Sequence, residues 1–198
     1  MKKAILLIDG GFLRSVSRKA HRGSNPAFSY NPAFIERFAL ACRAPDEEFV
    51  RVLYYDCAPY EGTVVKPISG AAETFAGSDR WLHELAACDL FAVRLGVLKF
   101  RGYARKRANH TGPLADADFK PQFEQKGVDM RIGLDIAAYS SYRLVDRIIL
   151  VTNDTDCVPA MKFARKAAIQ TVLIKVDNCV CAPELVEHAD FKRPVAYV

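Results

Sequence analysis

Short apolar runs separated by amphipathic stretches set the rhythm of this chain. Residues 4–8 (AILLI), 49–55 (FVRVLYY), 90–95, 147–152 and 171–176 are too short for core helices. They read as strands, and the unbroken 4–8 run as one buried on both faces. Helix-compatible segments fill the intervals at 12–20, 32–42, 73–88, 126–142, 158–168 and 183–189, with Pro32 at the favoured first helical position. Pro59, Gly62, Pro67 and Gly70 mark 56–70 as a long loop, and 108–123 is polar and irregular. The stretch GVLKFRGYARKR (96–107) extends its strand as a hairpin, and RPVAYV (193–198) closes as an edge strand. No repeat or linker interrupts the chain. Alternating strands and helices predict a single α/β domain over 1–198, with a mainly parallel sheet covered by helices on both faces.

Composition adds limits rather than direction. The chain has 198 residues and is 51% hydrophobic, enough for one sizeable core and inconsistent with disorder. Its 28 Lys and Arg against 23 Asp and Glu give +5, too mild to identify a partner. The start MKKAILLIDGGF has too short an apolar run before Asp9 for an export signal, and no run approaches the length of a membrane helix. The six cysteines are scattered, mostly in apolar surroundings, and read as reduced core residues of a cytoplasmic protein. Cys179, Cys181 and His188 lack the paired CxxC spacing of a zinc site.

The chemistry lies in the carboxylates. In VTNDTDCV, Asp154 and Asp156 stand one residue apart at the exit of an apolar strand. Asn153 or Asp154 can cap the following helix, and Asp156 suits its positive end. Capping accounts for one Asp; two adjacent carboxylates repel unless a cation or proton intervenes. In parallel sheets, ligands bind beyond the carboxyl ends of strands where strand order reverses. Asp9 also directly follows an apolar strand, so three carboxylates meet in one crevice if the two strands are neighbours. A fourth comes from QKGVDMRIGLDI. Val128, Ile132, Ile136 and Tyr139 share one helix face, and Asp129 flanks it in the first turn. Asp135 lies about 120° away from Asp129 around the helix. It suits three roles: support for a ligand, a ligand itself, or the partner of a basic residue. Clustered carboxylates without His or Cys partners favour Mg²⁺ or Mn²⁺, ions that assist phosphodiester hydrolysis.

The segments LLIDGGF, QKGVDMRIGLDI, IILVTNDTDCVPAMKFARK and PELVEHADF occur in the order and spacing of the NYN-domain family. Across essentially its whole length the chain resembles the LabA-like branch of that family, within the PIN-like nucleases. The resemblance implies a Rossmann-like three-layer α/β/α sandwich and an acidic Mg²⁺ site that cleaves RNA endonucleolytically. It places Asp9, Asp129, Asp154 and Asp156 at the catalytic and metal-binding positions, and Asp135 at a recurrent Asp of the helix. Two positions depart from the pattern: Phe12 stands where many relatives carry Asn, and Asn153 where many carry Gly.

A basic stretch offers a substrate arm. Arg94, Lys99, Arg101, Arg105, Lys106 and Arg107 fall in an acid-free segment interleaved with Phe100 and Tyr103. Cations neutralise phosphates and aromatic faces stack bases, so single-stranded RNA is the expected partner. A solvated hairpin with inward-packed aromatics is the competing reading. Lys126 is placed to contact a phosphate or balance the acids, and Thr152 to act through bound water or satisfy the strand end. Two alternative functions stand beside the nuclease. One is an RNA-binding or regulatory module with little catalysis. The other, an aspartyl phosphatase, needs an acid two residues after Asp9, where Gly11 stands. The oligomeric state is not fixed by the pattern, and a homodimer stays open.

Overall fold

In the computed structural model, residues 1–22, 27–106, 112–177 and 179–196 are described. Among these residues, nine strands and six helices follow in this order: β1 Lys2–Asp9, α1 Gly10–His21, α2 Pro32–Ala41, β2 Glu47–Cys57, β3 Glu61–Val65, β4 Ala72–Ala76, α3 Arg80–Ala86, β5 Phe91–Arg105, β6 Phe119–Lys126, α4 Val128–Ser141, β7 Arg147–Val151, α5 Val158–Lys166, β8 Gln170–Val176, α6 Pro183–His188 and β9 Phe191–Val195. Short 3₁₀ turns at Asp116–Asp118 and Thr155–Cys157 lead into β6 and α5.

Seven strands form one sheet in the order β6-β5-β2-β1-β7-β8-β9. Neighbours from β5 to β9 run parallel, and only the β5–β6 pair is antiparallel. This is an α/β fold with a mainly parallel mixed sheet. Strand alternation between two covered faces explains why β1 is apolar from Ala4 to Ile8. Ala4, Leu6 and Ile8 pack with Leu13 of α1, Phe34 and Phe38 of α2 and Leu85 of α3. Ile5 and Leu7 point the other way, against Ile132 and Ile136 of α4, Met161 of α5 and Leu185 of α6. Among the described residues no helix is long and apolar enough to cross a membrane, and none of the cysteines is bridged.

Four expectations are corrected. The 56–70 loop contains β3, and β2 continues to Cys57. The helix expected over 73–88 begins only at Arg80, because 72–76 pairs with β3 as β4; Thr63 and Thr74 face each other across that hairpin at 3.0 Å. Here cross-strand pairing overrides local helix preference. The irregular 108–123 segment already enters β6 at Phe119, which partners the long extension of β5. The closing strand spans Phe191–Val195, two residues earlier than expected, with Pro194 tolerated at the sheet edge; Tyr197 and Val198 lie outside the described residues.

Two glycines shape the approach to the crevice. A Cβ on Gly10 would stand 2.4 Å from the Tyr54 ring and 2.7 Å from the Tyr55 carbonyl, so only glycine lets α1 turn off β1 so tightly against β2. Gly127, at φ +76°, ends β6 and opens α4 in a left-handed conformation that side chains resist.

Candidate functional site

Strand order reverses between β1 and β7: β2 and β5 lie on one side of β1, β8 and β9 beyond β7. The two strands pair in parallel, Ile8 beside Val151, so their carboxyl ends open onto the same crevice. The neighbour relation that the converging carboxylates require is therefore present. Asp9 ends β1 and caps α1, its Oδ1 accepting from the Phe12 amide at 2.9 Å. Thr152 follows β7; its hydroxyl donates to Asp9 Oδ2 at 3.4 Å and accepts from the Asp154 amide at 3.1 Å. Asp154 caps the turn that follows, accepting the Asp156 amide at 2.9 Å. Asp129 enters from the first turn of α4.

One carboxylate oxygen from each of Asp129, Asp154 and Asp156 lies within 4.8 Å of the others. Asp9 stands beside this trio. It lines the same open crevice of about 500 Å³ as Asp129 and Asp154, with Phe12, Gln125, Asn153 and Thr155 completing the wall. Burial is the main cause that pushes the Asp9 carboxyl up to about 6, and the charges of Asp129 and Asp154 add to it. Asp129 is raised in the same way, by burial first and then by Asp154 and Asp156. Each thus holds its proton more tightly than a free carboxyl does, as expected where negative charges converge out of bulk water.

Several expected site residues are engaged elsewhere. Asn153 does not offer its amide to the crevice: its Oδ1 accepts from the Ala182 amide at 2.7 Å and its Nδ2 donates to the Val180 carbonyl at 3.3 Å, tying the β8–α6 connection to the wall. Lys126 is the last residue of β6 rather than the start of a helix, and its ammonium pairs with Glu124. Strand alternation sends its neighbour Gln125 into the crevice instead. Asp135 takes the third of its possible roles, accepting from Tyr55 Oη at 2.8 Å and Arg94 Nε at 3.3 Å.

The basic arm is partly spent as well. Arg94 pairs with Asp135 and Arg101 with Glu124, while Lys99, Arg105 and Lys106 form no ion pair among the described residues. Arg107 lies outside the described residues. Phe100 and Tyr103 follow the inward-packed alternative. Phe100 lies 6.1 Å from Tyr60, 6.5 Å from Phe75, 5.8 Å from Phe123 and 5.2 Å from Tyr103 between ring centroids. That cluster fastens the β3–β4 hairpin to the β5–β6 arm, helped by Tyr103 Oη donating to Glu73 at 2.5 Å.

Three residues beside the crevice went unremarked in the pattern: Asp56, Arg14 and Gln125. Asp56, the penultimate residue of β2, follows the same rule as Asp9, an apolar run followed by Asp, so the signal was there. It is buried and neutralised differently, by an ion pair with Arg14 and by donors from Tyr54 Oη at 3.2 Å and Gln125 Nε2 at 3.3 Å. Arg14 in turn lies 5.9 Å from the Tyr30 ring and 5.7 Å from that of Trp81.

No protein-family model matches the chain, and no curated protein does. Among solved structures, the chain is similar to the crystal structure of a protein of unknown function from Vibrio parahaemolyticus. The two share 18% identity at a TM-score of 0.57, over 98% of this chain and 92% of the other. At that identity the likeness concerns the fold alone.

Proposed function

We propose that the protein is a divalent-metal-dependent endoribonuclease of the NYN-domain, LabA-like type, acting on single-stranded RNA in the cytoplasm. On this reading the sheet and its two helical faces form a Rossmann-like three-layer α/β/α sandwich of the PIN-like kind. The observation that carries the proposal is the convergence of Asp129, Asp154 and Asp156 at the strand-order reversal, with Asp9 alongside. The donor set fits Mg²⁺ or Mn²⁺: it is built of carboxylate oxygens, with no imidazole or thiolate among the residues lining the crevice. Asp129, Asp154 and Asp156 would hold the ion, and Asp9 completes the acidic set from β1. Bound there, the ion supplies Lewis-acid polarisation of a phosphodiester and acidification of water.

The protein's own residues supply placement. Thr152 locks the β7 exit to Asp9, so the acids from two strands keep a fixed spacing. The Phe12 amide fixes the Asp9 carboxylate, leaving Asp9 Oδ2 toward Thr152. The crevice opens to solvent beside Asp9, Asp129 and Asp154. The deciding experiment is cleavage of labelled single-stranded RNA with Mg²⁺, Mn²⁺ or EDTA. Cleavage with either ion and none in EDTA is expected; RNA binding without cleavage would favour the regulatory-module alternative, which Phe12 in the crevice wall recommends.

The share of Asp9 in ion binding has its own test. Calorimetric titration of Mn²⁺ into Asp9→Asn should give weaker binding than into the wild type. Asn retains the cap on the Phe12 amide, so the helix start is preserved. Equal affinities would remove Asp9 from the metal site.

A further inference from the structure

We infer that the outer face of α1 is the track along which a single-stranded nucleic acid leaves the acidic crevice, its phosphates held by Arg14, Arg18, Lys19 and Arg22. The inference rests on the nuclease reading and names the substrate path for that same site. Between Asp9 and Glu36 the chain contains no acidic residue, yet it places these four cations on or just after one helix. Arg14 and Arg18, four residues and about 6 Å of rise apart, share a face of α1, and Arg22 follows at its C-cap. Together with Lys19 and Ser15 they border one groove of about 700 Å³, whose near end is Gly11 and Gln125. Gln125 also lines the acidic crevice, and Gly11 lies two residues from Asp9, so groove and crevice adjoin.

Both this face and the β5–β6 arm keep three cations free of ion pairs among the described residues, but Lys99, Arg105 and Lys106 of the arm line neither the groove nor the crevice. Arg94 and Arg101 of the arm are matched by Asp135 and Glu124. On α1, Arg14 pairs with buried Asp56 and remains about a quarter exposed toward the groove. Arg18, Lys19 and Arg22 are exposed and form no ion pair among the described residues. Basic residues in the last turn of α1 also complement the helix dipole. That effect explains a preference for positive charge at the helix end. It does not require a groove continuous with a carboxylate cluster, nor a cation at Arg14 in the second turn.

An extended polyanion meets the two regions differently. Acidic side chains without bound cations repel its phosphates, so the affinity must come from elsewhere on the surface. The α1 face supplies it immediately beside the acids, and it would present the strand to them rather than hold it on the arm.

The test is anisotropy of a labelled single-stranded RNA of mixed sequence, in EDTA, across roughly 50–200 mM salt. The proteins are wild type, the triple variant Arg18→Gln, Lys19→Gln, Arg22→Gln, and the arm variant Arg105→Gln, Lys106→Gln. The triple variant is expected to lose at least about tenfold in affinity at the low-salt end and to flatten the salt slope by about two. The arm variant should change both much less. All substituted positions are exposed, and thermal unfolding with unchanged Mn²⁺ affinity will verify that fold and acidic site persist. If wild type binds and cleaves RNA while the triple variant keeps its affinity and slope, the track is overturned and the acidic-site reading stands. If the arm variant carries the loss instead, the track is likewise overturned. A wild type that neither binds nor cleaves RNA overturns both.

Discussion

On the proposed metal-nuclease reading, Asp154→Asn is expected to leave the metal-free protein at least as stable as the wild type, while removing the proposed Mg²⁺ response and RNA cleavage. The two halves follow from different properties of one side chain. As a cap, Asp154 accepts the Asp156 amide through Oδ1, and an Asn oxygen can do the same at nearly equal strength. As a charge, it is one of three carboxylates whose oxygens approach within 4.8 Å, and it contributes to raising the proton affinity of Asp9 and of Asp129. Removing the charge relieves that repulsion without disturbing the turn. With millimolar Mg²⁺ the order reverses. An ion that binds only the folded state stabilises it by about 2.7 kcal/mol when present at roughly 100 times its Kd. The variant should forgo most of that gain. Residues that merely orient a metal ligand typically cost 10–100-fold when lost, so removing a ligand should lower cleavage by more than about 100-fold. Thermal unfolding of both proteins in EDTA and in Mg²⁺, beside RNA cleavage, separates the contributions. A variant that keeps the wild-type metal response and activity would sink the metal-site reading of Asp154.

The sequence pattern made the crevice legible because its signals are local. An apolar strand with an Asp at or just past its end puts that carboxylate at a carboxyl edge, as Asp9 stands at the end of β1 and Asp154 three residues past β7. The apolar face of α4 was equally readable, since Val128, Ile132 and Ile136 obey helical spacing and are buried. What could not be read was direction and partnership. Lys126 and Gln125 are neighbours, and only the register of β6 against β5, Gln125 beside Leu98, settles which of them faces the acids. Asp56 carries the same local signal as Asp9, but Arg14, 42 residues away, neutralises it. The hairpin of β3 and β4 was hidden for a related reason: residues 72–76 become a strand by pairing with β3 and by packing Phe75 against Tyr60 and Phe123, contacts that local preference does not encode.

At the other end of the β1–β2 pair, Glu47→Gln is expected to destabilise the protein by about 3–5 kcal/mol, without bearing on the acidic crevice. Glu47 opens β2 beside Lys2, its side chain fully buried. Its Oε1 accepts from Arg147 Nη1 at 2.6 Å and from Arg193 Nη2 at 2.7 Å, while Oε2 accepts the Ala44 amide at 2.7 Å. One carboxylate thereby joins the starts of β2 and β7 to the edge strand β9. Glutamine keeps the shape but leaves the Arg193 guanidinium without its counter-charge and Arg147 with only the exposed Asp46, 3.4 Å away, and it can accept through only one oxygen. The same contacts give the sign of a pH dependence. Although burial works against the charge, the hydrogen bonds from Arg193, Ala44 and Arg147 prevail and hold the Glu47 carboxyl at about 2, below its ordinary 4.5. A carboxyl with a depressed folded-state value stabilises the protein fully above its unfolded value. That contribution is lost as pH falls from about 4.5 toward 2, and here it amounts to about 3 kcal/mol. The stability gap between wild type and Glu47→Gln should therefore be widest above pH 5 and shrink as acid is added. Denaturant unfolding of the two proteins across that range measures it directly. A gap of constant size would mean that the cost of Gln lies in packing and not in the lost charge.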